Sequence, residues 1–96
     1  MALGNASAKP VRTLGDICRE IQADWKPRIH PWALPYFAAM CEMGHVSADR
    51  ISITREKYLH DDLREVVLRF LVNSSTWRGE VARKIKKELK SLAEYK

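Results

Sequence analysis

Apolar side chains recur at a helical spacing along the last part of this chain. They lie four, four, four and three residues apart at Trp77, Val81, Ile85, Leu89 and Leu92. An α-helix turns by about 100° per residue, so this spacing places them on one face. The pattern predicts a C-terminal amphipathic helix whose apolar face packs against the rest of the protein.

The opposite face of the same helix is basic, with Arg83, Lys86, Lys87 and Lys90 brought together by the helical turn. Residues 76–96 hold seven Lys or Arg against three Glu, and therefore +4 of the net charge of +5. The four basic side chains are candidate contacts for an acidic partner, either a nucleic acid or an acidic protein surface. A solvated Lys-rich helix face is also common in proteins that bind neither.

A helix is also predicted near the start of the chain. Thr13 followed by Asp16 is typical of a helix N-terminus, because the hydroxyl accepts a hydrogen bond from a backbone amide and the carboxylate faces the positive end of the helix dipole. Apolar residues at helical spacing continue to Trp25. Pro27 ends the helix, because proline disfavours helical backbone in the residue before it.

The second helix is predicted to begin near Pro31 or Trp32, where proline fits the first turn, and to end at Gly44. Between Trp32 and Met43 the only charged residue is Glu42. A helix that is apolar nearly all round is expected to be buried. Helix two is therefore predicted to be the centre of the core.

Residues 45–60 have no clear periodicity. Residues 47–50 are suited to cap a single helical turn, whereas Ile51 and Ile53 alternate with polar residues as in a short extended segment. A connection of this length in a small domain is often mobile or functional.

The third helix is assigned to residues 61–72. Asp61 and Asp62 are expected to stabilise its positive end, and the Asn-Ser-Ser sequence at residues 73–75 is expected to end it and to cap the fourth helix. The chain is thus predicted to be all-α, a compact four-helix domain with helix two central and a basic amphipathic C-terminal helix.

Residues 1–12 are interpreted as a flexible N-terminal leader and residues 13–96 as a single helical domain. The leader lacks the charged and apolar regions of a secretory signal, and no apolar run approaches the roughly 20 residues that cross a bilayer. Cys18 and Cys41 each lie in an apolar stripe, and so few cysteines favour free, buried thiols over a disulfide. We therefore expect a cytoplasmic protein that does not enter a membrane.

No set of residues forms a recognisable catalytic constellation. His30, His45 and His60 lie 15 residues apart, without the closer pairing of metal ligands. Nucleophilic catalysis would require a Ser or Cys with a base and a third group that orients the base, whereas both cysteines lie on predicted apolar faces. The glycines are isolated rather than clustered in a phosphate-binding loop. The polar cluster His60-Asp61-Asp62 is explained better by helix capping than by a cation. We expect no enzymatic activity, no cofactor and no metal.

Arg78 and Gly79 stand at the predicted start of the C-terminal helix. On an ideal helix Arg78 falls on the apolar side, so its guanidinium is expected to form a structural ion pair with Asp24 or with a carboxylate of helix three, in preference to contacting a ligand. Glycine in a helix is unfavourable by up to about 1 kcal/mol relative to alanine. Gly79 therefore predicts a close approach by another helix or by Trp32, or alternatively backbone access for a bound anion.

Each of the three tryptophans, Trp25, Trp32 and Trp77, can bury a large apolar area. All of them map to helix faces or ends that should point inward, so we interpret them as core residues. If Trp32 or Trp77 were exposed to solvent, base stacking or contact with a protein partner would become the better interpretation.

Three segments of the chain resemble a group of small helical proteins encoded by bacteriophages, prophages and mobile elements. Those proteins pair an Asn-Ala/Ser-x-Thr-Trp-Arg-Gly turn and helix with an upstream Asp-Trp and a Pro-Tyr-x-x-Ala-Met segment. The matching residues here are Asp24-Trp25, Pro35 to Met40 and Asn73 to Leu89. The resemblance implies a phage or mobile-element protein that acts inside a bacterial cell, and it brings no established site.

The sequence therefore supports two hypotheses about function. In the first, the protein is a small non-catalytic phage protein that binds and modulates a bacterial or phage protein, and that could also pair with a second copy of itself as a homodimer. In the second, Arg83, Lys86, Lys87 and Lys90 bind nucleic acid. That binding would be independent of sequence, since the basic face lacks the amide side chains that read bases.

Overall fold

A computed structural model describes residues 11–93 of the chain as five α-helices and a short two-stranded sheet. The helices are α1 (Leu14–Trp25), α2 (Leu34–Glu42), α3 (Arg50–Arg55), α4 (Leu63–Val72) and α5 (Glu80–Ala93). The strands are β1 (Lys57–Tyr58) and β2 (Asp61–Asp62). The predicted helical class is confirmed, but the described part of the chain holds five helices rather than four. None of these helices combines the length and hydrophobicity needed to cross a bilayer.

Helix α1 begins and ends where the sequence predicts. The amide of Asp16 donates to Thr13 Oγ1 at 3.2 Å, and the amide of Thr13 donates to Asp16 Oδ2 at 2.9 Å. This reciprocal capping box satisfies two amides that the helix itself leaves unpaired. The hydrogen bond from the Thr13 amide also holds the pKa of Asp16 below its usual value. The helix ends at Trp25, two residues before Pro27.

Helix α2 begins later than predicted and is not the centre of the core. It starts at Leu34, which places Pro35 in its first turn, where no intrahelical hydrogen bond is lost. Only Phe37, Ala39 and Met40 are buried within it. Helices α1 and α4 pack against one side, and the opposite side faces solvent. An apolar helix is buried only where neighbouring elements cover it, and among residues 11–93 such elements cover one side of α2.

Helix α4 takes the central position instead. It packs against α2, α3 and α5. The Phe70 ring lies edge-on to Trp25, with ring centres 6.1 Å apart, and 6.5 Å from the ring centre of Phe37. Aromatic pairs at these separations favour such offset arrangements. The buried side of α4 consists of Leu63, Val66, Val67 and Phe70.

Residues 45–60 supply the additional elements. The amide of Ser52 donates to Asp49 Oδ1 at 2.7 Å, so Asp49 caps α3 and the predicted helical turn is confirmed. The extended segment predicted at Ile51 and Ile53 is wrong. Residues two apart lie on nearly opposite sides of a helix, and accordingly Ile53 is buried while Ile51 is exposed.

A hairpin precedes α4 and changes the role predicted for its two aspartates. Lys57 pairs with Asp62 and Tyr58 with Asp61 in antiparallel register. Lys57 Nζ lies 2.8 Å from Asp62 Oδ1, and this hydrogen bond lowers the pKa of Asp62. Asp62 occupies the N-cap position of α4 without a side-chain capping bond. Its carboxylate therefore stabilises the hairpin rather than capping the helix.

Arg12 connects the beginning of the described chain to its last helix. The guanidinium donates to Glu20 on α1 and to Glu88 on α5, each at 2.7 Å, and the Arg12 carbonyl accepts from the amide of Ala48 at 2.8 Å. The hydrogen bond from Arg12 lowers the pKa of Glu20. The predicted leader, residues 1–12, therefore includes a docked residue at its end, and its first ten residues lie outside the described part of the chain.

Helix α5 begins three residues after Trp77, at Glu80. Gly79 has a φ of +113°, a backbone conformation that interrupts the helix and that glycine adopts without strain. Val81 is 38% exposed, so the predicted apolar face is confirmed only in its later part. The residues that α5 buries are Ala82, Ile85, Leu89, Leu92 and Ala93.

Candidate functional site

The candidate site lies where α1 and α4 end and α2 and α5 begin. Two connections form this end of the molecule, residues 26–33 and residues 73–79, and we call them together the loop end. They lie side by side, because Arg28 and Arg78 line one cleft and Trp32 and Asn73 line another. The residues that the sequence singles out around Trp77 therefore meet the exposed segment around Trp32.

Trp77 is part of the protein interior. Its ring stacks on Trp25 with centres 5.3 Å apart and planes 9° from parallel, and its side chain is only 2% exposed. The indole Nε1–H donates to Asp24 Oδ2 at 2.8 Å. A buried indole N–H requires such an acceptor. The interpretation of Trp25 and Trp77 as core residues is confirmed.

Lys86 stabilises the connection 73–79. Its Nζ donates to the carbonyl of Ser74 at 2.7 Å and to the carbonyl of Trp77 at 2.6 Å, and it lies 5.9 Å from the Trp77 ring centre. Burial, and next the charge of Arg78, lower the pKa of Lys86. Lys86 thus faces the protein. Its predicted place on an outward basic face, beside Arg83, is wrong, because it lies next to the buried stripe of α5.

The segment 73–75 ends α4 rather than capping α5. Asn73 occupies the C-cap position of α4. The buried Ser74 hydroxyl donates to the carbonyl of Leu71 at 2.8 Å, and the Ser74 amide donates to the same carbonyl at 3.2 Å, so this segment completes the last turn of the helix. The chain then needs residues 76–79 before α5 can begin.

A cleft of about 450 Å³ opens beside the stacked tryptophans. Arg28 and Arg78 both line it and are exposed. The ion pair expected for Arg78 is not formed with any carboxylate among residues 11–93. One of the candidate partners, Asp24, accepts from the Trp77 indole. The cleft residues are Asp24, Trp25, Arg28, Thr76, Trp77 and Arg78.

Gly79 has a different role from the close approach that its helical position predicts. A Cβ placed there would have no heavy atom within 4 Å, so neither another helix nor Trp32 packs against it. The positive φ alone explains why glycine stands at this position. The space in front of its backbone, next to Arg78, is open.

Trp32 is 72% exposed. Its only ring partner among the described residues is His30, at 5.9 Å between ring centres, and its own amide donates to His30 Nδ1 at 3.1 Å. The prediction that this tryptophan belongs to the core is wrong. Because α2 begins at Leu34, Trp32 lies on a connection and not on the buried face of a helix.

An apolar surface surrounds this tryptophan. A shallow cleft of about 380 Å³ is lined by Pro31, Trp32, Pro35, Tyr36 and Asn73. We call this cleft the Trp32 patch. Sequence neighbours of the lining residues are exposed too: Leu34 is 48% exposed and Val72 is 78% exposed. Large exposed apolar side chains around a shallow cleft are typical of an interaction site.

The outward basic face of α5 is smaller than predicted. Arg83, Lys87 and Lys90 are exposed, and none of the three forms an ion pair with a carboxylate among residues 11–93. Lys84 is exposed beside them, and its charge helps to lower the pKa of Glu20. We call Arg83, Lys87 and Lys90 the basic stripe.

Between residues 11 and 93 no three His, Cys, Asp or Glu side chains come together in a group that could hold a metal ion.

Compared with protein-family models, with curated proteins and with solved structures, the chain shows no match to any of them.

Sequence reasoning missed both Arg28 and the exposure of Trp32. A usable signal was present, because Pro27, Pro31 and Pro35 follow one another at intervals of four residues. Proline disfavours helical backbone in the preceding residue. Repeated prolines therefore indicate a connection, and residues on connections lie at the surface more often than residues on a helix face.

Proposed function

We propose that this protein is a small non-catalytic module that binds another protein through the loop end. The observation that carries the proposal is the 72% exposure of Trp32 within an apolar cleft. Keeping a large apolar ring in water is unfavourable, and burial against a partner would recover that free energy. Tryptophan, tyrosine and arginine are the residues most enriched at the energetic centres of protein interfaces.

The charge beside the Trp32 patch indicates the chemistry of the partner. Arg28 and Arg78 face the neighbouring cleft without a carboxylate partner among residues 11–93. Guanidinium groups bind carboxylates through paired hydrogen bonds. A partner that offers an apolar pocket to Trp32 and acidic side chains to the two arginines would match this surface, and the net charge of +5 would favour its approach.

The resemblance to phage-encoded proteins supports a partner inside a bacterial cell. On this proposal the protein acts in the cytoplasm, and its partner is a bacterial or phage protein whose activity it modulates. A second copy of the chain is the alternative partner for the loop end. Sedimentation of the purified protein distinguishes a homodimer from a monomer that binds a different protein. A stable dimer that Trp32→Ala converts to monomer would identify the partner as the chain itself.

Affinity capture with matched variants tests the proposal. The tagged wild type, Trp32→Ala and Ile51→Ala are each incubated with nuclease-treated lysate from infected and uninfected bacteria. Ile51 is 71% exposed but lies on α3, so it controls for the loss of any exposed apolar side chain. We expect one protein that binds the wild type and Ile51→Ala but not Trp32→Ala. A partner that is retained equally by Trp32→Ala contradicts the proposal.

A second candidate function is sequence-independent binding of nucleic acid by the basic stripe. It is favoured by the exposure of Arg83, Lys87 and Lys90 without ion pairs among residues 11–93. Such binding weakens with salt, with log K falling by about 0.9 per phosphate neutralised on duplex DNA per unit of log salt concentration. Changing the three residues to Glu, with Lys86 kept because it stabilises the fold, should abolish the binding. Unchanged affinity of the triple variant excludes this function.

A further inference from the structure

Helix α1 and the turn that follows α2 touch through two glycines, Gly15 and Gly44. The amide of Gly15 donates to the carbonyl of Gly44 at 3.0 Å. A Cβ on Gly15 would lie 2.9 Å from that carbonyl oxygen, and a Cβ on Gly44 would lie 3.1 Å from the Gly15 Cα. Side chains essentially never approach backbone atoms as closely as 2.9 Å, so Gly15 cannot carry a side chain unless the two backbones move apart, whereas Gly44 could carry one if its neighbours shifted by a few tenths of an ångström. The backbones are in direct contact at this point.

The two cysteines lie on either side of this contact. Cys18 follows Gly15 by three residues, and Cys41 precedes Gly44 by three residues. Because the start of α1 meets the end of α2, the two segments run antiparallel, and one helical turn along each leads from its glycine to its cysteine. Both cysteines line one small cavity of about 220 Å³, together with Gly15, Arg19, Gln22 and Gly44. Neither is part of a disulfide.

The two thiols differ in their access to solvent. Cys41 is exposed, which corrects the expectation that both thiols are buried, whereas Cys18 is only 3% exposed. Burial, and next the neighbouring Cys41, raise the pKa of the Cys18 thiol. A reagent in solution therefore reaches Cys41 first, and Cys18 lies behind it as a second thiol.

We propose that Cys18 and Cys41 form a redox-active dithiol that closes to an intramolecular disulfide on reaction with a small-molecule disulfide. The Cys41 sulfur attacks the reagent, breaks its S–S bond and forms a mixed disulfide, releasing one small thiol. The Cys18 sulfur then attacks Cys41 Sγ, forms the protein S–S bond and releases the second small thiol. Each protein thiol loses one proton, and the two electrons reduce the reagent to its two thiols.

Closure would join α1 to α2 and enclose the connection 26–33 within a loop of the chain. A cross-link over a loop of this length restricts the unfolded chain more than the folded one, and so stabilises the fold. The glycine contact and the shared cavity bring the two cysteine segments next to each other before oxidation. This dithiol lies at the opposite end of α1 and α2 from the Trp32 patch, and the inference does not rest on the function proposed above.

Titration of the full-length protein with oxidised glutathione tests the inference. After oxidation, free thiols are counted by alkylation and mass spectrometry, and the thermal unfolding midpoint is measured with and without reductant. We expect the free thiols to fall from two to none in a monomer that carries no glutathione, and the midpoint to rise by more than about 5 °C.

Cys41→Ser is the matched control, because its side chain is exposed and the change leaves the core intact. We expect this variant to show no rise of its unfolding midpoint on oxidation. Retention of both thiols by the wild type, accumulation of a glutathione adduct or of a disulfide-linked dimer in its place, or an equal rise in Cys41→Ser would each overturn the inference.

Discussion

Trp77 and Trp32 lie at the same end of the molecule but have opposite surroundings. Trp77 is stacked on Trp25, hydrogen-bonded to Asp24 and covered by Lys86. Trp32 has a single aromatic neighbour, His30, among the described residues. Trp77 is thus a structural residue, because several elements converge on it. Trp32 is available for contact, because only one of its sides is covered. Removing each ring should therefore affect different properties of the protein.

The largest expected effect is the loss of stability in Trp77→Ala. Deleting a buried tryptophan costs about 3–5 kcal/mol of unfolding free energy through lost burial and the cavity that remains. Trp32→Ala should change it by less than about 0.5 kcal/mol, because an exposed ring contributes little to the fold. Urea unfolding followed by circular dichroism measures both values. Equal losses in the two variants would mean that the rings do not differ as described.

The second expected effect is a loss of affinity for the protein partner when the exposed ring of Trp32 is removed. Trp32→Ala should weaken binding to the captured protein by at least about 2 kcal/mol, or roughly 30-fold in Kd, if Trp32 is the centre of the interface. Trp32→Phe should retain part of the affinity, because it keeps an apolar ring. Isothermal titration with the purified partner measures these values. A loss of less than threefold in Trp32→Ala would move the interface elsewhere.

A smaller effect separates two adjacent lysines. Lys86→Met removes two hydrogen bonds to the carbonyls of the connection 73–79 and should cost about 1 kcal/mol of unfolding free energy, since relief of its unfavourable burial offsets part of the loss. Lys87→Met is the matched control, because Lys87 is exposed and should tolerate the change. Chemical unfolding compares the two variants. Similar values would show that Lys86 does not stabilise the connection.

The smallest expected effect on stability per residue concerns three carboxylates that lie away from the loop end. Hydrogen bonds from Thr13, Arg12 and Lys57 lower the pKa values of Asp16, Glu20 and Asp62, respectively. Lowered folded-state pKa values stabilise the protein above the unfolded values, 3.8 for Asp and 4.5 for Glu, and this contribution is lost as pH falls through the folded values.

The unfolding midpoint should therefore decrease steadily as pH falls below about 4.5. Calorimetry across this range measures the decrease. Asp16→Asn should show a shallower decrease than the wild type, because one of the titrating carboxylates is gone. An unfolding midpoint that stays constant down to pH 3 would contradict the role assigned to these carboxylates.

Local signals in the sequence predict much of the fold. The capping pair of Thr13 and Asp16, the stop at Pro27 and the cap at Asp49 each act over a few residues, and the structure confirms them. The degree of burial of α2 could not be predicted in the same way. An apolar composition shows that a helix can be buried, but burial also depends on how many other elements reach it.

The candidate site was less predictable than the fold. Periodicity extended α5 back to Trp77, because counting residues cannot show that Gly79 adopts a positive φ. That error also moved Lys86 to the outer face and Arg78 to the inner one. Trp32 was assigned to the core because it was mapped to an inward-pointing end of helix two, whereas its exposure follows from the late start of α2. Small errors in predicted helix boundaries therefore assign surface residues to the core and structural residues to the surface.

The contact between Gly15 and Gly44 also limits how this protein can evolve. A methyl group on Gly15 would lie 2.9 Å from the Gly44 carbonyl oxygen and would force the two segments apart, whereas a methyl group on Gly44 would need only a shift of a few tenths of an ångström. The two positions should therefore differ in tolerance, and substitution of Gly15 should disturb the fold more than substitution of Gly44.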